Sequence, residues 1–242
     1  MRTLRSRVSE LCENADEAEA RIRRGEVLVD GSIIVNPGSM VRPGASVAIR
    51  EPPTLRGRRK LEAALERWRI PLTDAVALDA GASTGGFTQA LLHAGARRVY
   101  AVEVGYGQLL GSLRQDSRVI SLERVNVGGL TIELVPDALD VVTLDLGYLA
   151  LARGVPQLNG LRFVPGAQLI GLVKPMFELA LASAPSDRDT IDAALEHAVR
   201  GIAEAGWDTL DWIDSPILGS RGAHEMLVRA QRSRLDPGPQ RS

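Results

Sequence analysis

The chain has 242 residues, of which 45% are hydrophobic and 24% charged, and its formal net charge is −1. This composition is typical of a folded, water-soluble protein with room for one ordinary domain and a small second one. The single cysteine, Cys12, excludes an intrachain disulfide and a cysteine-cluster zinc or iron–sulfur site, which suits the cytoplasm. We expect no membrane span, because the chain has neither a signal-peptide pattern nor about 18 consecutive apolar residues.

Basic residues are concentrated at the front of the chain. Residues 1–60 carry twelve basic and eight acidic side chains, whereas the remainder is acidic. Such a surplus favours nucleic-acid binding, since neutralisation of phosphates dominates the affinity. An ordinary solvated surface gives the same pattern, so charge alone does not decide between them.

The first 51 residues predict a small α+β module. Asp16–Arg24 has a helical pattern that ends at Gly25. Two short β-rich runs follow, joined by Asp30-Gly31, which is a strong signal for a hairpin. Prolines and glycines then punctuate the chain, and residues 52–59 predict a linker.

Residues 60–233 predict a second domain of the α/β class. Apolar residues from Leu61 to Trp68 recur with helical spacing, which places Lys60 in the first turn of a helix. Short apolar runs then alternate with helical segments, as in a parallel, Rossmann-like sheet with helices on both faces. The last two runs predict an antiparallel pair at the sheet edge, and residues 234–242 a disordered tail.

A glycine-rich loop at Asp79–Phe87 lies between a predicted strand and a predicted helix. Glycines let the backbone turn sharply and approach a ligand, and the helix start offers unpaired N–H groups. Glu103 closes the next strand, where a carboxylate accepts hydrogen bonds from ribose hydroxyls. The acid before the glycines indicates S-adenosylmethionine rather than a nicotinamide cofactor. We therefore predict these cofactor-binding residues: Asp79, Gly81, Ser83, Thr84, Gly85, Gly86, Phe87, Glu103, Val104, Asn126 and Asp145.

Lysine is almost absent from this chain. Of 29 lysines and arginines, only Lys60 and Lys174 are lysines. Arginine replaces lysine where positive charge suffices, but it does not lose its proton. Either these two positions need an amine, or they survived by chance. Lys174 ends a predicted core strand, where open α/β sheets place their active sites, and Asp145 ends another. Glu225 opens the final strand, a position that also suits an ordinary surface residue.

Several segments resemble one family of enzymes. The runs DAGASTGGFTQALL, VYAVEVGYGQL, LERVN and LVKPMFE are similar to those of the TlyA-type, haemolysin-like ribosomal RNA 2′-O-methyltransferases, which share the FtsJ methyltransferase fold. The N-terminal part resembles the small RNA-binding module of ribosomal protein S-four. The resemblance covers most of the chain and implies a class I, S-adenosylmethionine-dependent methyltransferase whose partner is ribosomal RNA or a ribosomal subunit.

The resemblance also implies a catalytic tetrad. Matched position by position, the family's Lys-Asp-Lys-Glu set falls on Lys60, Asp145, Lys174 and Glu225. Both lysines of the chain are members, so the scarcity of lysine and the resemblance agree. The implied mechanism has Lys174 take the proton of a ribose 2′-hydroxyl, with the other three orienting it and the substrate. Such a displacement needs no metal.

The sequence departs from the family pattern around the expected substrate. The departures are Leu55–Arg58, Gly147–Tyr148, Ala180–Asp189 and Ala223–His224. They leave open a diverged enzyme that transforms a small molecule of a natural-product pathway. A non-catalytic RNA-binding protein is a third possibility, and the retained tetrad argues against it.

Overall fold

The computed structural model describes residues 1–12, 14–23, 25–49, 55–219 and 222–233. The chain divides into two compact units, Met1–Thr54 and Leu55–Ser242. This division, between Thr54 and Leu55, falls within residues 52–59, where the sequence predicted a linker. The predicted tail at 234–242 lies outside the described residues.

The first unit is a small α+β fold with its own apolar core. Its strands are β1 (Arg2–Thr3), β2 (Val27–Val29), β3 (Ser32–Ile33), β4 (Met40–Val41) and β5 (Val47–Ile49), and its helices are α1 (Leu4–Val8) and α2 (Ala15–Arg23). Strands β3, β2 and β5 form an antiparallel sheet, and β1 pairs with β4. The predicted hairpin is confirmed: Asp30 and Gly31 have φ of 48° and 83°, the left-handed pair that a tight two-residue turn requires.

The second unit is built on one sheet. Its strands are β6 (Val76–Ala80), β7 (Arg98–Glu103), β8 (Val119–Glu123), β9 (Leu139–Leu144), β10 (Phe163–Val173), β11 (Trp207–Asp214) and β12 (Met226–Arg232). In the described part of the chain the order is β11-β12-β10-β9-β6-β7-β8. Strands β10, β9, β6, β7 and β8 are parallel, whereas β12 runs antiparallel to both β10 and β11.

Helices cover both faces of this sheet, as predicted. They are α3 (Arg56–Trp68), α4 (Gly86–His93), α5 (Gly111–Arg114), α6 (Leu151–Gly154), α7 (Pro175–Glu178) and α8 (Arg188–Glu204). Along β6, Leu78 packs into a core shared with α6 and α8, whereas its neighbour Ala77 packs into one shared with α3 and α4. Alternation of side chains along buried strands produces these two layers.

Helix α3 begins earlier than the sequence predicted. Residues 56–59 belong to its first turn rather than to a linker, so Lys60 lies in the second turn. The sequence did not predict this start, because glycine at position 57 is a poor helix former. Glycine is nevertheless suited to the packing here: a Cβ built on Gly86 would lie 2.8 Å from the Gly57 Cα. The close approach of α3 to the start of α4 therefore depends on having glycine on both sides of the contact.

Candidate active site

The glycine-rich loop follows β6 at the carboxyl edge of the sheet. Gly81 and Gly85 have φ of 86° and 97°, and Ser83 has φ of 49°. A Cβ on Gly81 would overlap the backbone carbonyl of Asp145 at the end of β9. The loop therefore needs glycine both for its left-handed turn and for its approach to the neighbouring strand.

Glu103 faces the same edge from the end of β7. Its Oε2 accepts the Ser83 N–H at 2.9 Å and its Oε1 accepts the Gly105 N–H at 2.8 Å. These bonds fix a carboxylate at the wall of a cavity of about 440 Å³, where Val104, Val125 and Val127 supply apolar surface. Each carboxylate oxygen keeps further acceptor capacity for ligand hydroxyls.

A second cavity, of about 270 Å³, lies beside the first and contains two lysine–carboxylate pairs. Lys60 Nζ donates to Glu225 Oε2 at 2.5 Å, and both side chains are more than nine-tenths buried. Lys174 Nζ lies 2.5 Å from Asp145 Oδ1 and donates to the Leu146 carbonyl at 3.0 Å. The four residues of the expected tetrad are thus brought together by α3, β9, β10 and the segment before β12.

Lys174 and Asp145 line both cavities. They come directly after β10 and β9, two adjacent parallel strands whose carboxyl ends meet at one edge. A group bound in one cavity and a group bound in the other would therefore meet at this pair. This junction is the position at which a transfer between two bound molecules is possible.

Burial dominates the electrostatics of Asp79. The side chain is completely buried and its carboxylate accepts the hydroxyls of Thr88 at 2.6 Å and Thr143 at 3.1 Å. Desolvation raises its pKa to about 6, and the hydroxyl bonds oppose the shift. Asp79 ties β6, α4 and β9 together beneath the loop.

Three residues predicted to bind the cofactor line neither cavity. Asp79 lies below the loop, Gly85 packs against Leu109 and Leu113, and Asn126 is exposed just after β8. Their direct contact with the cofactor stays a prediction, and the first two have a clear packing role. The other predicted residues line one or both cavities: Gly81, Ser83, Thr84, Gly86, Phe87, Glu103, Val104 and Asp145.

The cavity walls also contain residues that the sequence analysis missed. Arg56, Gly57 and Gly219 line the second cavity. The first two were predicted to belong to a linker and were therefore not considered. Their spacing from Lys60 could have identified them, since Gly57 lies almost one helical turn before that lysine. A Cβ on Gly219 would overlap the Glu225 carboxylate, so this glycine lets the chain pass over that side chain.

The sequence and the fold match known proteins. The family model of the FtsJ-like methyltransferases matches residues 54–232. The chain belongs to this family. The methyltransferase is 37% identical to the 16S/23S rRNA (cytidine-2'-O)-methyltransferase TlyA of Mycobacterium tuberculosis, over 93% of this chain and 87% of that protein. It is 31% identical to hemolysin A of Brachyspira hyodysenteriae, over 89% of this chain and 93% of that protein.

Solved structures agree with this assignment. A candidate hemolysin from Streptococcus thermophilus superimposes on the methyltransferase with a TM-score of 0.71 and 28% identity, covering 96% of this chain and 89% of that one. An S-adenosylmethionine-dependent methyltransferase from Listeria monocytogenes shares only the fold, with a TM-score of 0.54 at 16% identity and coverage of 73% and 98%. The predicted α/β class and the predicted family are confirmed.

S-adenosylmethionine is the cofactor of this methyltransferase, and the larger cavity fits it. Glu103 would accept hydrogen bonds from the ribose hydroxyls, and Val104, Val125 and Val127 would flank the adenine. Gly81 and Ser83 of the glycine-rich loop line the same cavity and would contact the rest of the cofactor. In the described residues no group of three His, Cys, Asp or Glu side chains is arranged to hold a metal ion. None of the described helices has the length and apolarity to cross a bilayer.

Proposed function

We propose that this chain is a 2′-O-methyltransferase that modifies the ribose of ribosomal RNA, free or in a ribosomal subunit. The observation that carries the proposal is the pair of lysine–carboxylate contacts in a cavity that adjoins the cofactor cavity. The names of the relatives support the choice of substrate, since the Mycobacterium tuberculosis protein is an rRNA (cytidine-2'-O)-methyltransferase. A cytoplasmic location follows from this substrate.

When bound, S-adenosylmethionine supplies a methyl group on a positively charged sulfur. The protein must then hold a ribose 2′-hydroxyl and take its proton. We assign that step to Lys174, whose amine is held by the Asp145 carboxylate and the Leu146 carbonyl. These two oxygens fix the position of the amine, and release of one ammonium proton to water frees the lone pair that takes the hydroxyl proton.

Lys60 and Glu225 line the same cavity. The Glu225 carboxylate holds the Lys60 amine in place, and Gly219 allows the carboxylate to sit close to the backbone. An exposed cation, Arg56, also lines this cavity and donates to the Leu218 carbonyl at 2.8 Å. We assign Lys60 and Glu225 to positioning the ribose, and Arg56 to attracting a phosphate.

The N-terminal unit is proposed to bind RNA. It is a small, separately folded unit, and several of its arginines lie on the surface in ion pairs, including Arg2 with Glu10 and Arg42 with Asp30. Exposed ion pairs of this kind are weak, so phosphate groups can replace the carboxylates at little cost.

The test is transfer of a labelled methyl group from S-adenosylmethionine to purified ribosomal subunits and to bare ribosomal RNA. We expect label on a ribose 2′-oxygen, located by the resistance of the adjacent phosphodiester to alkali. Lys174→Arg is the control, because arginine keeps a positive charge but does not release its proton. It should lose transfer while cofactor affinity, measured by calorimetry, stays near normal. Labelled RNA from the Lys174→Arg enzyme would refute the role of Lys174, and unlabelled RNA from wild-type enzyme with bound cofactor would refute the substrate.

A further inference from the structure

Glu178 is a buried carboxylate that is not a member of the tetrad. It ends the run LVKPMFE, four residues after Lys174, and is only 6% exposed. Its Oε1 accepts the N–H of Leu151, the first residue of α6, and its Oε2 accepts the N–H of Ala152 at 3.5 Å. Oε2 also lies 3.1 Å from Nδ1 of His197 on α8. Burying a carboxylate is costly unless it is hydrogen-bonded, and this one is bonded where α6, α7 and α8 meet.

The contacts of Glu178 lead back to the Lys174 amine. The Lys174 carbonyl accepts the Glu178 N–H at 3.0 Å, so the single turn of α7 joins the two residues. The Glu178 carboxylate holds the Leu151 N–H, and the chain runs back from there to Leu146. The Leu146 carbonyl accepts the Lys174 amine at 3.0 Å. Residues 146–150 are therefore tied at both ends to the chain around α7.

Further contacts fix the beginning of this segment to the sheet. The Asp145 N–H donates to the Ala80 carbonyl of β6 at 2.9 Å. The Leu146 side chain is buried against Gly154 of α6, where an added Cβ would lie 2.6 Å from the leucine Cδ1. A displacement of α6 would therefore move Leu146, and the bond from Glu178 holds α6 in place.

We propose that Glu178 is a positioning residue for Lys174. By holding α6 against α7, its carboxylate keeps the Leu146 carbonyl and the Asp145 carboxylate where they orient the amine. An ionised carboxylate accepts hydrogen bonds at both oxygens, an amide at only one, and a thioether scarcely at all. Glu178→Gln and Glu178→Met therefore form a graded series of similar side-chain size. This inference rests on the proposed function.

The scarcity of lysine allows a direct measurement. Because Lys60 and Lys174 are the only lysines, full-length protein labelled with carbon-13 lysine gives two Cε signals by NMR, which Lys174→Arg assigns. We expect Glu178→Met to shift or broaden the Lys174 signal and to leave the Lys60 signal in place, with a smaller effect of Glu178→Gln. Asp140→Asn is the matched control, since Asp140 accepts the Val76 N–H at 2.8 Å at the amino end of β9. It should leave both lysine signals unchanged.

Kinetics give a second readout. We expect kcat for methyl transfer to RNA to fall about 10-fold in Glu178→Gln, the equivalent of one hydrogen bond. In Glu178→Met it should fall about 100-fold, as for a misplaced reacting group. KM for RNA and the affinity for S-adenosylmethionine should stay near those of the wild type, because the side chain acts on Lys174 and not on either bound molecule.

A Lys174 signal that stays in place in both Glu178 variants would overturn the inference, and so would a change in KM without a change in kcat. Glu178→Gln keeps the size and one acceptor of the original side chain, so it decides the matter if Glu178→Met does not fold. Wild-type enzyme that binds cofactor and labels no RNA refutes the proposed substrate. The two lysine signals then still decide whether Glu178 positions Lys174.

Discussion

Lys60 and Glu225 form an ion pair that is almost completely removed from water. Each residue is 7% exposed, and the two atoms in contact are 2.5 Å apart. Burying two charges is costly unless each has its partner, so loss of one partner is worse than loss of both. The pair is therefore a stability determinant as well as a part of the proposed site.

We expect Glu225→Ala to lower the free energy of unfolding by about 3–5 kcal/mol, because it leaves the Lys60 ammonium buried without its carboxylate. Adding Lys60→Met should restore part of this loss. Urea unfolding measures both. Asp192→Ala is the control: Asp192 pairs with Arg188 at the surface, and such a pair contributes less than about 1 kcal/mol. Equal effects of Glu225→Ala and Asp192→Ala would contradict the argument.

Asp79 makes stability depend on pH in the acid range. Its pKa is raised from 3.8 to about 6 in the folded protein, so the folded state binds more protons than the unfolded state between these values. Stability should therefore fall as pH rises through this window, by up to about 3 kcal/mol. Unfolding of wild type and Asp79→Asn at several pH values isolates the effect. The difference in the free energy of unfolding between the two proteins should change between pH 4 and pH 6. A difference that stays constant over this range would contradict the role of Asp79.

At the scale of elements, the site depends on how closely α3 approaches α4. A Cβ on Gly86 would lie 2.8 Å from the Gly57 Cα and 2.9 Å from the Arg58 nitrogen, and both are backbone atoms that do not move aside easily. A Cβ on Gly57 would lie 3.4 Å from the Gly86 Cα, which is nearly an ordinary contact. The two glycines are thus unequal, although they touch each other.

Gly86→Ala should push α3 outward and reduce methyl transfer, with about 1–3 kcal/mol of stability lost to overpacking. Gly57→Ala should be much milder, because alanine is the better helix former by about 1 kcal/mol. Gly111→Ala is the control, since nothing lies within 4 Å of its added Cβ. Urea unfolding and the transfer rate together test this ranking. Equal effects of the two α3–α4 substitutions would show that the contact does not set the position of the helix.

The same contact explains how far the sequence could predict the structure. The glycine loop, the strand ends at Glu103 and Asp145 and the Asp30-Gly31 hairpin follow local patterns, and all were predictable. The start of α3 was not, because Gly57 reads as a break until Gly86 is known to lie against it. Local sequence patterns did not predict the contact between Glu225 and Lys60, because the two residues are 165 positions apart. The family resemblance alone placed both residues in one site.

At the scale of the whole molecule, the two units have separate cores. The first unit buries a small cluster that includes Leu4, Ile22 and Val27, whereas the second buries two large clusters on the faces of its sheet. A small unit buries a smaller fraction of its surface and is correspondingly less stable. Only the second unit contains the cofactor cavity.

We therefore expect two transitions in a calorimetric unfolding experiment. S-adenosylmethionine should raise the temperature of the larger transition, because a ligand stabilises the folded state that binds it. The smaller transition should stay in place, and substitution of Ile22 by alanine should lower it selectively. A single transition that moves as a whole with added cofactor would show that the units unfold together.

Strand β12 returns antiparallel between β10 and β11 and delivers Glu225 to Lys60 from near the opposite end of the domain. During synthesis, the glycine loop and both lysines are made well before this carboxylate. A growing chain can therefore form the buried Lys60–Glu225 contact only late in synthesis, after nearly all of the domain has been made. Until then, the Lys60 amine has no carboxylate from Glu225 beside it.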